Sequence, residues 1–323
     1  MRKTITLFAA TLGLLCTSLA TSLAQSWPQK PIRFVVPFPP GGGTDFVARL
    51  VAKNLQDKVG QAIIVENRGG ANGAIGLTAV KQSVADGYTF SFTSDTPMTV
   101  NPWLYKDLAY QPLNDFMPVA SAARLPGMLA AHPSFPANNI AELIALAKAK
   151  PGSINYASAG VGNFSHLAME LFSIATGVKL QHVPYKGTGP AAQALLSGEV
   201  QVSFNNVQTL LQFVLDGKLK GLGVAEPKRM PQLPDLPAIA ETVPGFEMAP
   251  WVGIVAPAGT PQPIVDKLAE AMIAVMRDPA IAKQFSDQQL TAMCLPKEQF
   301  AELIKTDYDK WGKVTKEAGI KME

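Results

Sequence analysis

The chain predicts an α/β protein built mostly from parallel strands, and three observations carry that expectation. Strand-like and helix-like segments alternate from Ile32 to Lys316. Two strand–loop–helix elements, IRFVVPFPPGGGTDFVARL and NYASAGVGNFSHLAMELF, stand about 120 residues apart. In each, a loop of glycine and small residues follows a strand's carboxyl end, which is where open α/β sheets bind ligands.

In chain order, the apolar run Ile32–Pro37 reads as a strand covered on both faces. Pro39 and Pro40 stiffen the turn, and Gly41, Gly42 and Gly43 let a ligand approach the backbone. Thr44 or Asp45 is expected to cap a helix near Thr44–Val59 with Phe46, Val47, Leu50 and Val51 on its apolar face. Ala62–Glu66 reads as a strand, Asn67–Gly73 as a second glycine-rich loop, and Ile75–Ser83 as a helix. Tyr88–Thr93 is a strand that runs into a polar loop, Ser94–Pro97. Strands Phe116–Ala123 and Met128–His132 flank Pro126-Gly127. Asn139 with Glu142 opens a helix Ile140–Lys150 in the manner of a capping box. Strand Ile154–Ser158, loop Ala159–Asn163 and helix Phe164–Thr176 follow. Leu180–Val183, a helix ending at Leu196, and strands Val200–Phe204 and Leu219–Val224 complete the middle. Trp251–Ala256 is a strand, Thr260 and Pro261 open a helix to about Arg277, and the last helix runs from Lys297 to Lys316.

Arg2 and Lys3, the apolar stretch Ile5–Leu15 and Ser22-Leu23-Ala24 form a secretory leader with cleavage expected after Ala24. The apolar stretch is too short to span a membrane, so the mature chain is expected to be exported and soluble. Leu15 before Cys16 argues against a lipid anchor. One cysteine, Cys294, then remains, which rules out an intramolecular disulfide. Removing Arg2 and Lys3 leaves 26 basic against 25 acidic residues, with no basic block, which argues against a nucleic-acid partner. Roughly 300 residues suffice for two domains.

Motif by motif, the chemistry narrows. A strand–glycine loop–helix junction aims backbone N–H groups at the positive end of a helix dipole, which suits a carboxylate or phosphate. Gly41–Gly43 is neither a dinucleotide fingerprint nor a phosphate-binding loop ending in Gly-Lys-Ser/Thr. Ser158 does not sit in a nucleophile elbow and reads as a loop hydrogen-bond donor. His132, His166 and His182 lack metal-ligand spacing, so neither a metal nor a cofactor is expected. His166 has two readings, cleft lining or helix capping, whereas His132 and His182 adjoin strand ends and read as structural. Asp95 reads as a solvated loop carboxylate, and Lys186 lies in a Gly/Pro loop that faces either lobe or solvent.

The segments WPQKPIRFVVPFPPGGGTDFVARLVAKNL, VENRGGANGAIGLTAV, ADGYTF, INYASAGVGNFSHLAMELF, HVPYKGTGPAAQALLSGEVQVSFNN and WVGIVAPAGTPQPIVDKLAEAM span nearly the whole mature chain. Together they resemble the Bug-type substrate-binding proteins of the tripartite tricarboxylate transporter family. The resemblance implies a two-domain periplasmic-binding-protein (Venus flytrap) fold with two hinge crossings. Domain one would hold residues 25–124 and 249–323, domain two residues 125–248, and the hinges Ala120–Ala131 and Phe246–Ile254. It implies a small carboxylate held between the loops Phe38–Asp45 and Ala157–His166, largely by backbone N–H groups. The residues it marks are Phe38, Pro39, Gly41, Gly42, Thr44, Asp45, Ala157, Ser158, Ala159, Asn163, Ser165 and His166. Thr93, Ser94, Thr96, Tyr185 and Asn205 are expected around the rest of the ligand. Phe38 and His166 are candidates to flank a flat aromatic acid. Relatives often carry Asp where Asn205 stands, and the neutral amide disfavours an amino-acid ligand.

The resemblance also implies a periplasmic monomer without catalytic activity, delivering mono-, di- or aromatic acids to membrane permease subunits. Two other roles compete with it. One is a ligand-dependent partner of a membrane sensor. The other is a secreted α/β hydrolase using Ser158 or Ser165 with His166, for which the sequence shows no orienting group and no oxyanion hole.

Overall fold

The computed structural model describes residues 27–317, 319 and 320; the leader Met1–Ala24 lies outside the described residues. Strands β1 (Ile32–Val36), β2 (Ile63–Asn67), β3 (Thr89–Ser94), β4 (Phe116–Arg124), β10 (Trp251–Pro257) and β11 (Thr291–Ala292) form one sheet in the order β11-β4-β10-β3-β1-β2. A second sheet holds β5 (Gly127–Ala131), β6 (Asn155–Ser158), β7 (Gln181–Pro184), β8 (Val202–Asn206) and β9 (Lys220–Val224), ordered β7-β6-β8-β5-β9.

Both sheets are mixed, which corrects the expectation of mostly parallel strands. β1 runs parallel to β2 and β3, and β6 runs parallel to β7 and β8. β10 is antiparallel to β3 and β4, and β5 is antiparallel to β8 and β9. The cause is the path between the sheets. β4 ends at Arg124 and β5 begins at Gly127, so only Leu125-Pro126 separates a strand of one sheet from a strand of the other. A chain that leaves one sheet by its strand end and enters the next beside its own strand ends must run away from them. The return from β9 to β10 obeys the same constraint.

β1 lies between β2 and β3, and its core side chains Ile32, Phe34 and Val36 are fully buried. They pack with Val47, Val51 and Leu55 of the Gly43–Val59 helix and with Leu268 and Met272 of the Gln262–Met276 helix. Burial of a side chain such as Phe34 contributes about 1.5–3 kcal/mol, so this cluster fixes where the loop after β1 emerges. The Gly43–Val59 helix ends at Gly60, in the left-handed conformation with φ 77°. In the second sheet Tyr156, Leu167, Phe172 and Phe204 anchor the Phe164–Thr176 helix.

Several segments were not expected from sequence, among them the short helix Pro112–Asp115 and the strand β11. Ser94–Pro97 is not a loop: Asp95 caps a π-helical turn, Thr96–Val100, that continues as a helix over Asn101–Leu104. Helices also form over Val207–Leu215 and Pro279–Asp287. Among the described residues no helix is long and apolar enough to cross a membrane.

Candidate functional site

The two sheets present their strand ends to a common cavity of about 1020 Å³. Phe38–Thr44 and Gly70–Gly73 line it from the first sheet's side. Ala159, Asn163, Lys186–Pro190 and Asn206 line it from the second.

The first loop is built as a backbone donor. Gly42, with φ −79° and ψ 167°, is the helix N-cap and has no side-chain cap bond. Neither Thr44 nor Asp45 caps this helix as expected. Asp45 lies inside the first turn and reaches back, accepting the Gly41 N–H at 2.9 Å and Asn67 Nδ2 at 2.9 Å. Arg49 donates to it at 3.1 Å through Nε. Burial works against the Asp45 charge, but the Arg49, Gly41 and Asn67 bonds outweigh it and hold the carboxyl below its usual range. Asp45 is thus a brace behind the loop. Among the described residues the N–H groups of Gly42, Gly43 and Thr44 have no protein acceptor, and all three residues line the cavity. A Cβ on Gly43 would lie 2.3 Å from Leu125 Cδ2 and 3.3 Å from Asn206 Nδ2, so any side chain there would displace that of Leu125.

The second loop is built differently. Its polar side chains satisfy its own backbone. Ser165 Oγ accepts the Ala159 N–H at 2.9 Å, Ser158 Oγ accepts the Gly160 N–H at 3.2 Å, and His166 Nδ1 accepts the Gly162 N–H at 3.0 Å. Asn163 caps the helix by accepting the Ser165 N–H at 3.2 Å. Ser158 and Ser165 are fully buried and His166 is 6 % exposed. These three stand beneath the loop, and only Ala159 and Asn163 of this segment's expected residues line the cavity.

His166 stacks on His182 with ring centroids 3.9 Å apart, and both rings stack on Tyr156. Burial, with His182 alongside, pushes His166 down to about 3, and burial pushes His182 down to about 4. Ser158 Oγ lies 2.6 Å from His182 Nε2, a spacing found in hydrolytic dyads. Full burial of Ser158 keeps substrate from it, so the contact supports the loop rather than a nucleophile.

Among the other expected residues, Phe38, Pro39, Gly41, Gly42, Thr44, Ser94 and Thr96 line the cavity. Asp45, Thr93, Ala157, Ser158, Ser165, His166, Tyr185 and Asn205 do not. Tyr185 donates to Glu199 at 2.7 Å, and Asn205 Nδ2 donates to the Thr188 carbonyl at 3.3 Å.

Asn206, Thr188, Asn72 and Asp95 are among the lining residues that the sequence did not mark. Asn206, at the end of β8, projects toward Gly43, and its Oδ1 is buried without a partner among the described residues. Thr188 begins the Thr188–Leu196 helix, a third helix start facing the cavity. Asn72 donates across the cavity to the Val161 carbonyl at 2.9 Å. Asp95, only 4 % exposed, lies in the wall beside Ser94 and Thr96. A joint read of Asn205-Asn206 as alternating faces was the available signal for the first.

The profile of the tripartite tricarboxylate transporter family receptors matches residues 47–320. The chain belongs to this family. Protein BugT of Bordetella pertussis is 35% identical over 99% of this chain and 97% of its own length. Among solved structures, R. palustris Rpa4515 with adipate superimposes with a TM-score of 0.87 at 34% identity, covering 92% of this chain and all of that one (100%). MatC from Rhodopseudomonas palustris with bound malate superimposes with a TM-score of 0.79 at 33% identity, covering 89% of this chain and 99% of the other. The structure of periplasmic binding protein BugD superimposes with a TM-score of 0.83 at 36% identity, covering 92% of this chain and 100% of that one, so the chain has the periplasmic-binding-protein fold and is a solute-binding receptor, not an enzyme.

Proposed function

We propose that this receptor captures a small carboxylate between its two sheets, closes on it, and delivers it to the membrane permease subunits of a tripartite tricarboxylate transporter. The supporting observation is the set of unpaired N–H groups of Gly42, Gly43 and Thr44, at the start of a 17-residue helix facing the cavity. The helix dipole adds to their attraction for an anion. Neither binding loop contains Arg or Lys. The solved relatives that hold adipate and malate agree with an acid ligand.

Magnitudes require the second lobe. Three charge-assisted bonds at about 1.5–3 kcal/mol each supply roughly 5–9 kcal/mol. Association costs about 4–15 kcal/mol, whereas micromolar affinity needs about 8 kcal/mol net. Contacts from Asn163, Thr188 and Asn206 in the closed state would supply the difference. In this reading residues 25–124 and 249–323 form one lobe, residues 125–248 the other, and Leu125-Pro126 one of the hinge crossings. The mature chain would start at Gln25 and act in the periplasm as a monomer.

The test is thermal-shift and calorimetric screening of refolded, ligand-free protein against mono-, di- and aromatic carboxylates. Stabilisation by neutral sugars and by no acid would refute the carboxylate assignment. Co-isolation from membranes with and without the acid checks the partner; recovery of a sensor protein in place of the permease would refute delivery to a transporter.

A further inference from the structure

One wall of the cavity carries a group that the anion-binding loop does not use. Asp95 follows β3 and caps the π-helical turn Thr96–Val100. It is 4 % exposed and lines the cavity. Its Oδ1 accepts the Thr96 N–H at 2.7 Å and the Thr96 hydroxyl at 3.3 Å. No protein donor reaches its Oδ2 among the described residues, and that oxygen is not sealed from the cavity as the Asn206 Oδ1 is. π-helical turns are frequent at functional sites.

The surroundings add negative charge. Asp307, on the Lys297–Glu317 helix packed against this turn, faces Asp95, and Lys310 of the same helix only partly offsets it. Asp307 is itself held by Trp251 Nε1 at 2.8 Å, with Arg124 and Glu247 beyond it. Among the described residues Lys186 is the other charged side chain lining the cavity, and it is exposed. A buried carboxyl group with an open oxygen is costly unless something brings it a donor. A cationic donor relieves both the desolvation and the repulsion from Asp307, whereas a second ligand carboxylate would add to that repulsion.

We propose that Asp95 makes this receptor selective for acids that also carry a protonated amine. Its Oδ2 receives the ammonium group while the Gly42–Thr44 amides hold the carboxylate. This rests on the carboxylate reading above and names the ligand's second group. The sequence had pointed away from amino acids through Asn205, but Asn205 does not line the cavity and Asp95 does. Burial and Asp307 push the Asp95 carboxyl up to about 7, so pairing with an ammonium at neutral pH would expel a proton.

The test uses triads that differ at one carbon: aspartate, malate and succinate; glutamate, 2-hydroxyglutarate and glutarate; alanine, lactate and propionate. Affinities are measured by calorimetry at pH 7 in buffers of different ionisation enthalpy, which also counts protons. In whichever triad binds, the amine should bind at least about tenfold tighter than the unsubstituted acid, with net proton release. Asp95→Asn should remove most of that preference and the proton release. If that variant fails to fold, the wild-type preference and proton count decide alone. Equal or tighter binding of the unsubstituted or hydroxy acid, or proton uptake, overturns the role of Asp95 and leaves the carboxylate reading standing. Binding of no acid in any triad overturns both.

Discussion

Asp95 has a consequence for stability that needs no ligand. Its carboxyl is raised from 3.8 to about 7 by burial and by Asp307. Between those values the folded chain holds a proton that the unfolded chain has lost, so stability falls as pH rises through this window. A shift of about three units corresponds to a ceiling of about 4 kcal/mol at 1.36 kcal/mol per unit. About 2–3 kcal/mol of that is lost between pH 5 and pH 8. Asp95→Asn keeps an oxygen for the Thr96 N–H and removes the titration. Urea unfolding of both proteins at pH 5 and pH 8 isolates the effect of Asp95 and its neighbour Asp307, because the titrating groups not coupled to them cancel in the difference. The variant should gain about 2–3 kcal/mol on the wild type between pH 5 and pH 8. An equal pH response of the two proteins would show that Asp95 is solvated and that the wall is not closed around it.

Other expectations follow from the same geometry. Gly42→Val should abolish detectable acid binding, a loss of more than about 3 kcal/mol by calorimetry. It should leave the melting temperature within about 2 °C, because Gly42 has an ordinary φ of −79° and its nearest non-local atom to a Cβ is Pro39 O at 3.8 Å. His166 and His182 are held below their usual value, so the unfolded chain takes up protons first and stability falls as pH drops below about 6.5. His182→Gln, which preserves a partner for Ser158, should flatten that loss in acid unfolding curves. Asn72→Gly keeps the left-handed backbone, φ 49°, but removes the bond to Val161 across the cavity. Small-angle scattering should then report a more open ligand-free chain, and ligand affinity should fall by about two- to tenfold.

Much of the fold was legible because hydrophobic period and glycine punctuation agree along most of the chain. The Phe164–Thr176 helix has the bounds its pattern predicts, with Asn163 as cap and Gly177 as stop. The mixed sheets were not legible, since strand direction is set by the path between the two sheets and not by local pattern. The Asp95 turn was misread because Ser-Asp-Thr-Pro is also loop composition, although Pro97 near a helix start was a usable signal. The helix Pro279–Asp287 carried a plainer one, Asp278 capping just before a first-turn proline. At the site, placing β8 over Val200–Phe204 instead of Val202–Asn206 obscured which asparagine faces inward, since adjacent strand residues point to opposite faces. Ser158, Ser165 and His166 have the composition of ligand donors. Their donors and acceptors are consumed by the loop itself, a competition that one-dimensional spacing does not reveal.

The unpaired amides of Gly42–Thr44 also bear on how such a chain can change its ligand over generations. A grip made of peptide groups has no codon of its own. It is lost through shape, by a bulky residue at the loop or by loosening of the Asp45 brace, and not by exchange of one charged side chain for another. On the proposed binding mode, a duplicated copy would begin with its acid grip already in place. Its repertoire would then diverge at a few wall positions, Phe38, Ser94, Asp95 and Asn206 foremost, while the anchor stayed constant.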